Sequence, residues 1–134
     1  MRIFMQKQDN NYEVLIGYAR SMLGYSFEEL KKNCINYPIS ITVYVDKKTN
    51  TFEKIIEVRF DNHEATISCS FNEADKCDTT YLFLDSQSSE NSLIRYLSKS
   101  FGFDYRENHW LLDNCYLKIK QSKDFFCFYI FADR

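Results

Sequence analysis

A long apolar run extends from Trp110 to Phe131 near the end of the chain. Two polar breaks, Asp113-Asn114 and residues 121–124, divide this run into three short segments. Apolar segments separated by turn-forming residues are typical of antiparallel strands joined by tight loops. The run therefore predicts a three-stranded meander.

Loop lengths predict how these three strands pair. A two-residue loop at Asp113-Asn114 and a four-residue turn at 121–124 give one set of partners: Trp110 with Leu117, Leu112 with Cys115, Leu117 with Phe128, and Ile119 with Phe126. Successive residues of a strand point to opposite faces of the sheet. One face of the meander is then uniformly apolar, and we expect it to face the core.

The reverse face of the meander is mixed, and the same register pairs Tyr116 with Tyr129. Its aromatic residues are Tyr116, Phe125, Tyr129 and Phe131, with Lys118 and Lys120 among them. A strand that is apolar on both sides is expected inside a covered sheet or at a surface that meets a partner. An uncovered face of this kind would suit RNA bases, which stack on aromatic rings, or the seam of a homodimer through this C-terminal sheet.

Two helices are predicted ahead of the first strands. Apolar residues spaced by three and four begin after Asn10, which forms a capping box with Glu13, and the helix is expected to end at Gly24. A second helix starts at Ser26, with Glu29 at the position of its capping partner. The pattern therefore predicts a helical pair.

Four strands and a third helix follow. The core-facing residues of the first three strands are predicted to be Ile39, Ile41, Val43 and Val45, then Phe52, Ile56, Val58 and Phe60, then Ala65, Ile67, Cys69 and Phe71. The fourth strand is predicted at residues 81–84, and the helix at 90–101 with Ser88 or Ser89 as its cap. The apolar residues 3–5 are expected to form a short edge strand.

Taken together, these elements predict one α+β domain over residues 1–134, in the order α-α-β-β-β-β-α-β-β-β. The sheet is expected to be largely antiparallel, with the helices packed on one face. The composition is 45% hydrophobic and 17% aromatic, which is enough apolar material for a buried core.

Charge and cysteine usage narrow the compartment and the partners. The 17 basic and 19 acidic residues give a net charge of -2, which argues against nucleic acid and against an anionic membrane surface as partners. The five cysteines have irregular spacing, the first residues lack the apolar core of a signal peptide, and no apolar run could span a bilayer. We therefore expect a cytoplasmic protein with reduced thiols.

Metal and catalytic motifs are sparse. With only His63 and His109 and no Cys-x-x-Cys pair, neither a metal nor another cofactor is expected. Cys77 is predicted to be the most exposed thiol, but nearby carboxylates would disfavour its thiolate. The enzymatic alternative is a small-molecule enzyme or sensor with a pocket between sheet and helices and with Cys115 or His109 as the reactive group, although the predicted register places these two on opposite faces.

Acidic residues concentrate in the predicted loops and beside them. They are Asp61, Glu64, Glu73, Asp75, Asp78, Asp85 and Glu90. If the loops meet at one end of the sheet, these carboxylates form a rim that attracts a basic partner. A small acidic chain with an aromatic sheet and no catalytic motif resembles, in profile, proteins that neutralise toxins by binding them. The favoured hypothesis is a non-enzymatic immunity or antitoxin protein that occludes a basic, nuclease-type toxin.

Overall fold

The computed structural model describes the backbone of residues 2–132 and the side chains of residues 11–132. Within this range the elements are α1 (Arg2–Ser21), α2 (Phe27–Asn33), β1 (Ile39–Asp46), β2 (Thr51–Phe60), a 3-10 turn (Asp61–His63), β3 (Ala65–Phe71), β4 (Cys77–Leu84), α3 (Gln87–Ser100), β5 (Gly102–Asp104), β6 (His109–Leu112), β7 (Cys115–Gln121) and β8 (Phe126–Ala132). The predicted α+β class is confirmed, with one short strand, β5, in addition to those expected.

All described strands belong to a single antiparallel sheet with the order β1-β2-β3-β4-β8-β7-β6-β5. Each half of this order is a meander of four consecutive strands, and the halves meet where β4 pairs with β8. Sequence neighbours pair everywhere except at this junction. The sheet is therefore two local meanders joined along one non-local seam.

The three helices cover most of the sheet face that carries the apolar sets predicted from strand alternation. The prediction is wrong for the end of the β1–β2 hairpin, where Ile41, Val43, Val45 and Phe52 are exposed because the hairpin extends past the start of the β2–β3 pairing. Ile56, Val58, Ile67 and Leu82 are fully buried beneath the helices, as is Leu15 of α1. Such burial stabilises the folded state by about 25 cal/mol for each Å² of apolar surface removed from water. The helices are thus held mainly by this shared core.

Specific polar contacts fix the position of the helix layer. The buried Thr80 hydroxyl on β4 donates to the carbonyl of Ala19 in α1 at 3.1 Å. At the α1–α2 turn, Gly24 N–H donates to the Cys77 carbonyl and Cys77 N–H donates to the Tyr25 carbonyl, both at 2.7 Å. Gly24 has φ of +91°, a conformation in which a side chain would be strained. The turn is therefore fastened directly to the first residue of β4.

The meander register is confirmed in its first hairpin and wrong in its second. Trp110 pairs with Leu117, as predicted, but Leu117 pairs with Ile130 rather than Phe128. The corresponding errors are Ile119, which pairs with Phe128, and Tyr116, which pairs with Phe131. The turn occupies residues 122–125, where Ser122 N–H donates to the Phe125 carbonyl. Because the shift is two residues, every side chain keeps its predicted face.

Two helices, α1 and α3, begin earlier than predicted. Helix α1 already includes residues 3–5, so the short edge strand is wrong, and residue 10 lies inside the helix and cannot cap it. Three consecutive apolar residues carry no period, and they fit a helix as well as a strand. The Ser26–Glu29 capping box is present, whereas α3 begins earlier than predicted, with Ser86 as its cap.

Candidate functional site

The sheet face opposite the helices, hereafter the open face, can be mapped from the strand pairing. One row of directly opposed residues crosses six strands, from β1 through β2, β3, β4 and β8 to β7, and reads Ser40, Glu57, Ser68, Tyr81, Tyr129 and Lys118. The next row includes Thr79, Phe131 and Tyr116. The aromatic side chains of β4, β7 and β8 therefore lie side by side on this face.

These rings form an aromatic centre, which we define as Tyr81, Tyr116, Tyr129 and Phe131. The centroids of Tyr81 and Tyr129 are 6.0 Å apart, those of Tyr129 and Phe131 are 5.6 Å apart, and those of Tyr116 and Phe131 are 5.6 Å apart. All four side chains are partly exposed. Offset aromatic contacts at such distances contribute about 0.5–1.5 kcal/mol each beyond area burial. The rings hold one another in a connected surface.

Charged residues flank the aromatic centre with opposite signs. Glu53 and Glu57 lie on the β2 side, and Lys118 and Lys120 lie on the β7 side. Four strand spacings, or about 19 Å, separate Glu57 from Lys118 in their shared row. The Lys120 ammonium also lies 5.8 Å from the Tyr81 ring centroid, within cation–π range. The open face thus has an acidic side, an aromatic centre and a basic side.

Arg59, at the end of β2, binds two of the acidic residues that the sequence had suggested as partner contacts. Its guanidinium donates twice to Asp85, at 2.8 and 2.6 Å, and once to Asp61, at 2.8 Å. It also donates to the Thr66 hydroxyl at 3.2 Å. The hydrogen bonds from Arg59 hold the pKa of Asp85 below its ordinary value. The single positive charge of Arg59 therefore offsets part of the charge of Asp61 and Asp85 within the molecule.

This ion pair predicts a pH-dependent contribution to stability. Because the folded pKa of Asp85 is lowered, its contribution is present above the unfolded value of about 3.9 and is lost as the pH falls through the folded pKa. We expect Asp85→Asn to lower the free energy of unfolding by less than about 1 kcal/mol at pH 7, because the pair is partly exposed. Urea unfolding at pH 7 and at acid pH measures this difference. Asp124→Asn, in the β7–β8 turn, is the matched control, and an equal loss at both pH values would contradict the prediction.

The seven predicted acidic residues occupy opposite ends of the sheet. Asp61, Glu64, Asp85 and Glu90 lie where β2 and β4 end, whereas Glu73, Asp75 and Asp78 lie at the β3–β4 hairpin. A seven-residue strand separates these ends by roughly 23 Å. Glu73 and Asp78 line an open cleft of about 740 Å³ beside Gly24. The structure therefore gives two acidic groups rather than the single rim that converging loops would form.

The five cysteine side chains all lie in the interior of the protein. All five are unpaired and buried, including Cys77, which was predicted to be the most exposed. Cys77 is buried because β4 begins there and its backbone pairs with Gly24 and Tyr25. Burial raises the pKa of Cys34, Cys115 and Cys127, and a hydrogen bond with Cys77 raises that of Cys69. Each of these shifts opposes formation of the nucleophilic thiolate.

Cys115 and His109 do not lie in one pocket. Cys115 faces the helices beside an open depression of about 480 Å³ lined also by Arg20 and Asn114. His109 lies on the open face, with its ring centroid 4.4 Å from that of Tyr116. Among residues 11–132, no three His, Cys, Asp or Glu side chains converge as metal ligands would. The enzymatic alternative remains a prediction without an assembled catalytic pair.

The predicted aromatic surface is partly brought together by the fold. Tyr116, Tyr129 and Phe131 join the aromatic centre, whereas Phe125 is 41% exposed and precedes β8. Sequence reasoning missed Tyr81, Glu53 and Glu57, because the pairing of β4 with β8 is non-local. Strand alternation does place Tyr81 and Leu82 on opposite faces of the sheet, and this pattern was the available signal that Tyr81 lies on the open face. A homodimer through this part of the sheet remains a prediction; it would have to use the open face, because β7 and β8 are interior strands.

Comparison of the chain with protein-family models, with curated proteins and with solved structures gives no match. Over the described residues, none of the helices combines the length and the apolar character needed to cross a bilayer.

Proposed function

We propose that this protein is a non-enzymatic binding protein that docks a partner protein on its open face, in the manner of an immunity or antitoxin protein that occludes a toxin. The observation that carries the proposal is the connected aromatic centre on the sheet face opposite the helices. Rings already packed against one another lose little conformational freedom on binding, so more of the contact energy is available for affinity.

The arrangement of residues on the open face favours a protein partner. Protein interfaces have a centre enriched in Tyr, Trp and Phe and a polar rim. The aromatic centre here is bordered by Glu53 and Glu57 on one side and by Lys118 and Lys120 on the other. The partner surface that fits is apolar at its centre, basic where it meets β2 and acidic where it meets β7. Opposed charges of both signs would fix its orientation.

A basic toxin also fits the wider charge distribution. The net charge is -2, and the acidic group Glu73, Asp75 and Asp78 extends from the β3–β4 hairpin. Such charges accelerate encounter with a basic partner more than they contribute to final affinity. The buried, unpaired cysteines suit a reducing cytoplasm, where we place the protein.

RNA binding is the second candidate, favoured by Lys118 and Lys120 beside exposed aromatic rings. Stacking on aromatic side chains is a common mode of single-stranded RNA recognition. The acidic side of the same face opposes a phosphate backbone. In filter binding, retention of RNA that decreases with salt would favour this candidate over a protein partner.

The decisive test is co-expression with the product of the adjacent gene, followed by calorimetry of the purified complex. We expect Tyr129→Ala to weaken that complex tenfold or more, because truncating a central aromatic hot spot costs about 2 kcal/mol or more. Tyr105→Ala is the matched control, since Tyr105 is 88% exposed and lies outside the open face. Circular dichroism of both variants checks that folding is retained.

A second variant separates the open face from the acidic loops. Glu73→Lys combined with Asp78→Lys reverses charge at the β3–β4 hairpin and leaves Asp75, whose φ of +58° favours Asp, Asn or Gly, in place. We expect this variant to slow association and to leave dissociation nearly unchanged. A complex that tolerates Tyr129→Ala but is lost on charge reversal would move the binding surface to the hairpin, and no complex at all would contradict the proposed function.

A further inference from the structure

The two edges of the sheet differ sharply in length and character. β5 forms one edge with only three residues, Gly102–Asp104. β1 forms the other with eight residues, Ile39–Asp46. From Ile39 to Val45 this strand has no charged residue and no proline, the devices that usually protect an exposed edge. β1 therefore offers an unprotected edge for pairing.

The β1–β2 hairpin also projects beyond the rest of the sheet. Residues 51–54 of β2 pair with β1, whereas the pairing of β2 with β3 starts only at Ile55. As a result Ile41, Val43, Val45 and Phe52 are between 42% and 67% exposed, although they continue the core-facing side of the sheet. An apolar surface of this kind on a free edge indicates an interaction site.

The backbone of β1 presents its free groups at regular positions. Arg59 N–H donates to the Pro38 carbonyl at 2.9 Å, and Pro38 and Arg59 fall in the same register as the β1–β2 pairs. In an antiparallel ladder, hydrogen-bonded pairs alternate with pairs whose N–H and C=O groups point away. Residues 40, 42, 44 and 46 therefore bond to β2, and residues 39, 41, 43 and 45 direct their backbone groups outwards.

We propose that β1 pairs antiparallel with β1 of a second copy of this chain, about a two-fold axis at Val43. In that register Val43 lies opposite its own counterpart, and Ile41 lies opposite Val45 of the other copy. The outward backbone groups and the apolar side chains belong to the same alternate residues, so hydrogen bonds and apolar contacts match simultaneously. On the other side of the sheet, Thr42 lies opposite Tyr44 of the second copy.

The sequence of β1 favours a second copy of this chain, rather than an unrelated strand, as the partner at this edge. A two-fold axis requires the strand to be complementary to itself, and the sequence Ile-Ser-Ile-Thr-Val-Tyr-Val meets this condition from residue 39 to 45. The proposed register places no charged side chain opposite one of like sign. Because both copies place their apolar hairpin residues on the same side of the joined sheet, Ile41, Val43 and Val45 of the two chains form one continuous apolar strip.

Amide hydrogen exchange of the full chain tests the pairing without any substitution. In a dimer, the amides of Ile41, Val43 and Val45 are expected to be protected together with those of Thr42 and Tyr44. In a monomer, only the residues bonded to β2 are protected, and protection alternates along β1. The measurement is made at a protein concentration at which light scattering can detect a dimer of the 16.1 kDa chain. Protection that alternates along β1 under these conditions would overturn the proposal.

Substitution at Val43 provides the second test. Val43→Pro removes an outward N–H that β2 does not use, and Val43→Lys places like charges opposite each other at the two-fold axis. We expect light scattering to show a dimer for the natural chain and a monomer for both variants. Val14→Lys, on a 38% exposed valine of α1, is the matched control and should remain dimeric.

The outcomes separate this inference from the proposed function. A monomeric natural chain, or a dimer unaffected by both Val43 variants, would overturn pairing through β1. Neither result bears on partner binding by the open face, which the Tyr129→Ala variant tests independently. If the natural dimer instead dissociates on Tyr129→Ala and resists Val43→Lys, the contact between copies is the open face and not β1.

Discussion

Replacing Phe128 by alanine should lower the free energy of unfolding by about 3–5 kcal/mol. Phe128 is completely buried at the centre of the sheet, on β8, where it pairs with Leu82 of β4 and with Ile119 of β7. Its ring also packs edge-on against Phe126 at 5.4 Å. Removal of the ring would leave a cavity under the helix layer that rigid neighbouring strands cannot close.

Urea unfolding followed by tryptophan fluorescence or circular dichroism measures this effect. Phe125→Ala is the matched control, because the same ring is removed from a side chain that is 41% exposed and precedes the strand. We expect the control to change the free energy of unfolding by less than about 1 kcal/mol. Equal effects of the two substitutions would mean that residue 128 is not at the centre of the core.

Thr80→Val should lower the free energy of unfolding by about 1–3 kcal/mol although the two side chains have nearly the same shape. Thr80 is fully buried, and its hydroxyl donates to the Ala19 carbonyl of α1 at 3.1 Å. Valine would leave that carbonyl without this donor in a place that water does not reach. The substitution removes a hydrogen bond and keeps the packing, so it isolates the polar contact that positions the helix layer.

Thr79→Val is the control for this second prediction. Thr79 is the preceding residue of β4 and lies on the open face, opposite Phe131. Replacing this hydroxyl by a methyl group at a partly exposed position should change the free energy of unfolding by less than about 0.5 kcal/mol. Chemical denaturation of both variants gives the comparison. A fully stable Thr80→Val protein would show that the contact between α1 and β4 depends on apolar packing alone.

Strand alternation was sufficient to predict the two faces of the sheet. The core-facing sets that include Ile56, Ile67 and Leu117 were read from period-two patterns, and the structure buries each of these residues. Pairing was less predictable, because the β7–β8 turn includes Phe125 and an apolar residue gives no turn signal. The resulting error of two residues preserved every face assignment, since side chains repeat with a period of two.

The candidate site was only partly predictable, for a physical reason. Tyr116, Tyr129 and Phe131 were found because they alternate within a local meander. Tyr81 was not linked to them, because no local rule pairs a fourth strand with an eighth strand. The seven acidic residues were grouped because they all lie in or beside predicted loops. That criterion does not say at which end of the sheet each loop lies. Arg59 binds two of them, Asp61 at 2 positions and Asp85 at 26 positions along the chain, and its single positive charge offsets part of theirs.

The seam between β4 and β8 makes the aromatic centre dependent on complete folding. Each four-strand meander has mainly local contacts and can form early, whereas closing the seam pairs residues about fifty positions apart. Tyr81 belongs to one meander and Tyr129 to the other, so neither half carries the whole surface. A partner that requires both rings would bind the finished molecule and ignore partly folded or truncated chains. If the proposed partner contacts both rings, formation of the non-local seam is therefore a precondition for binding.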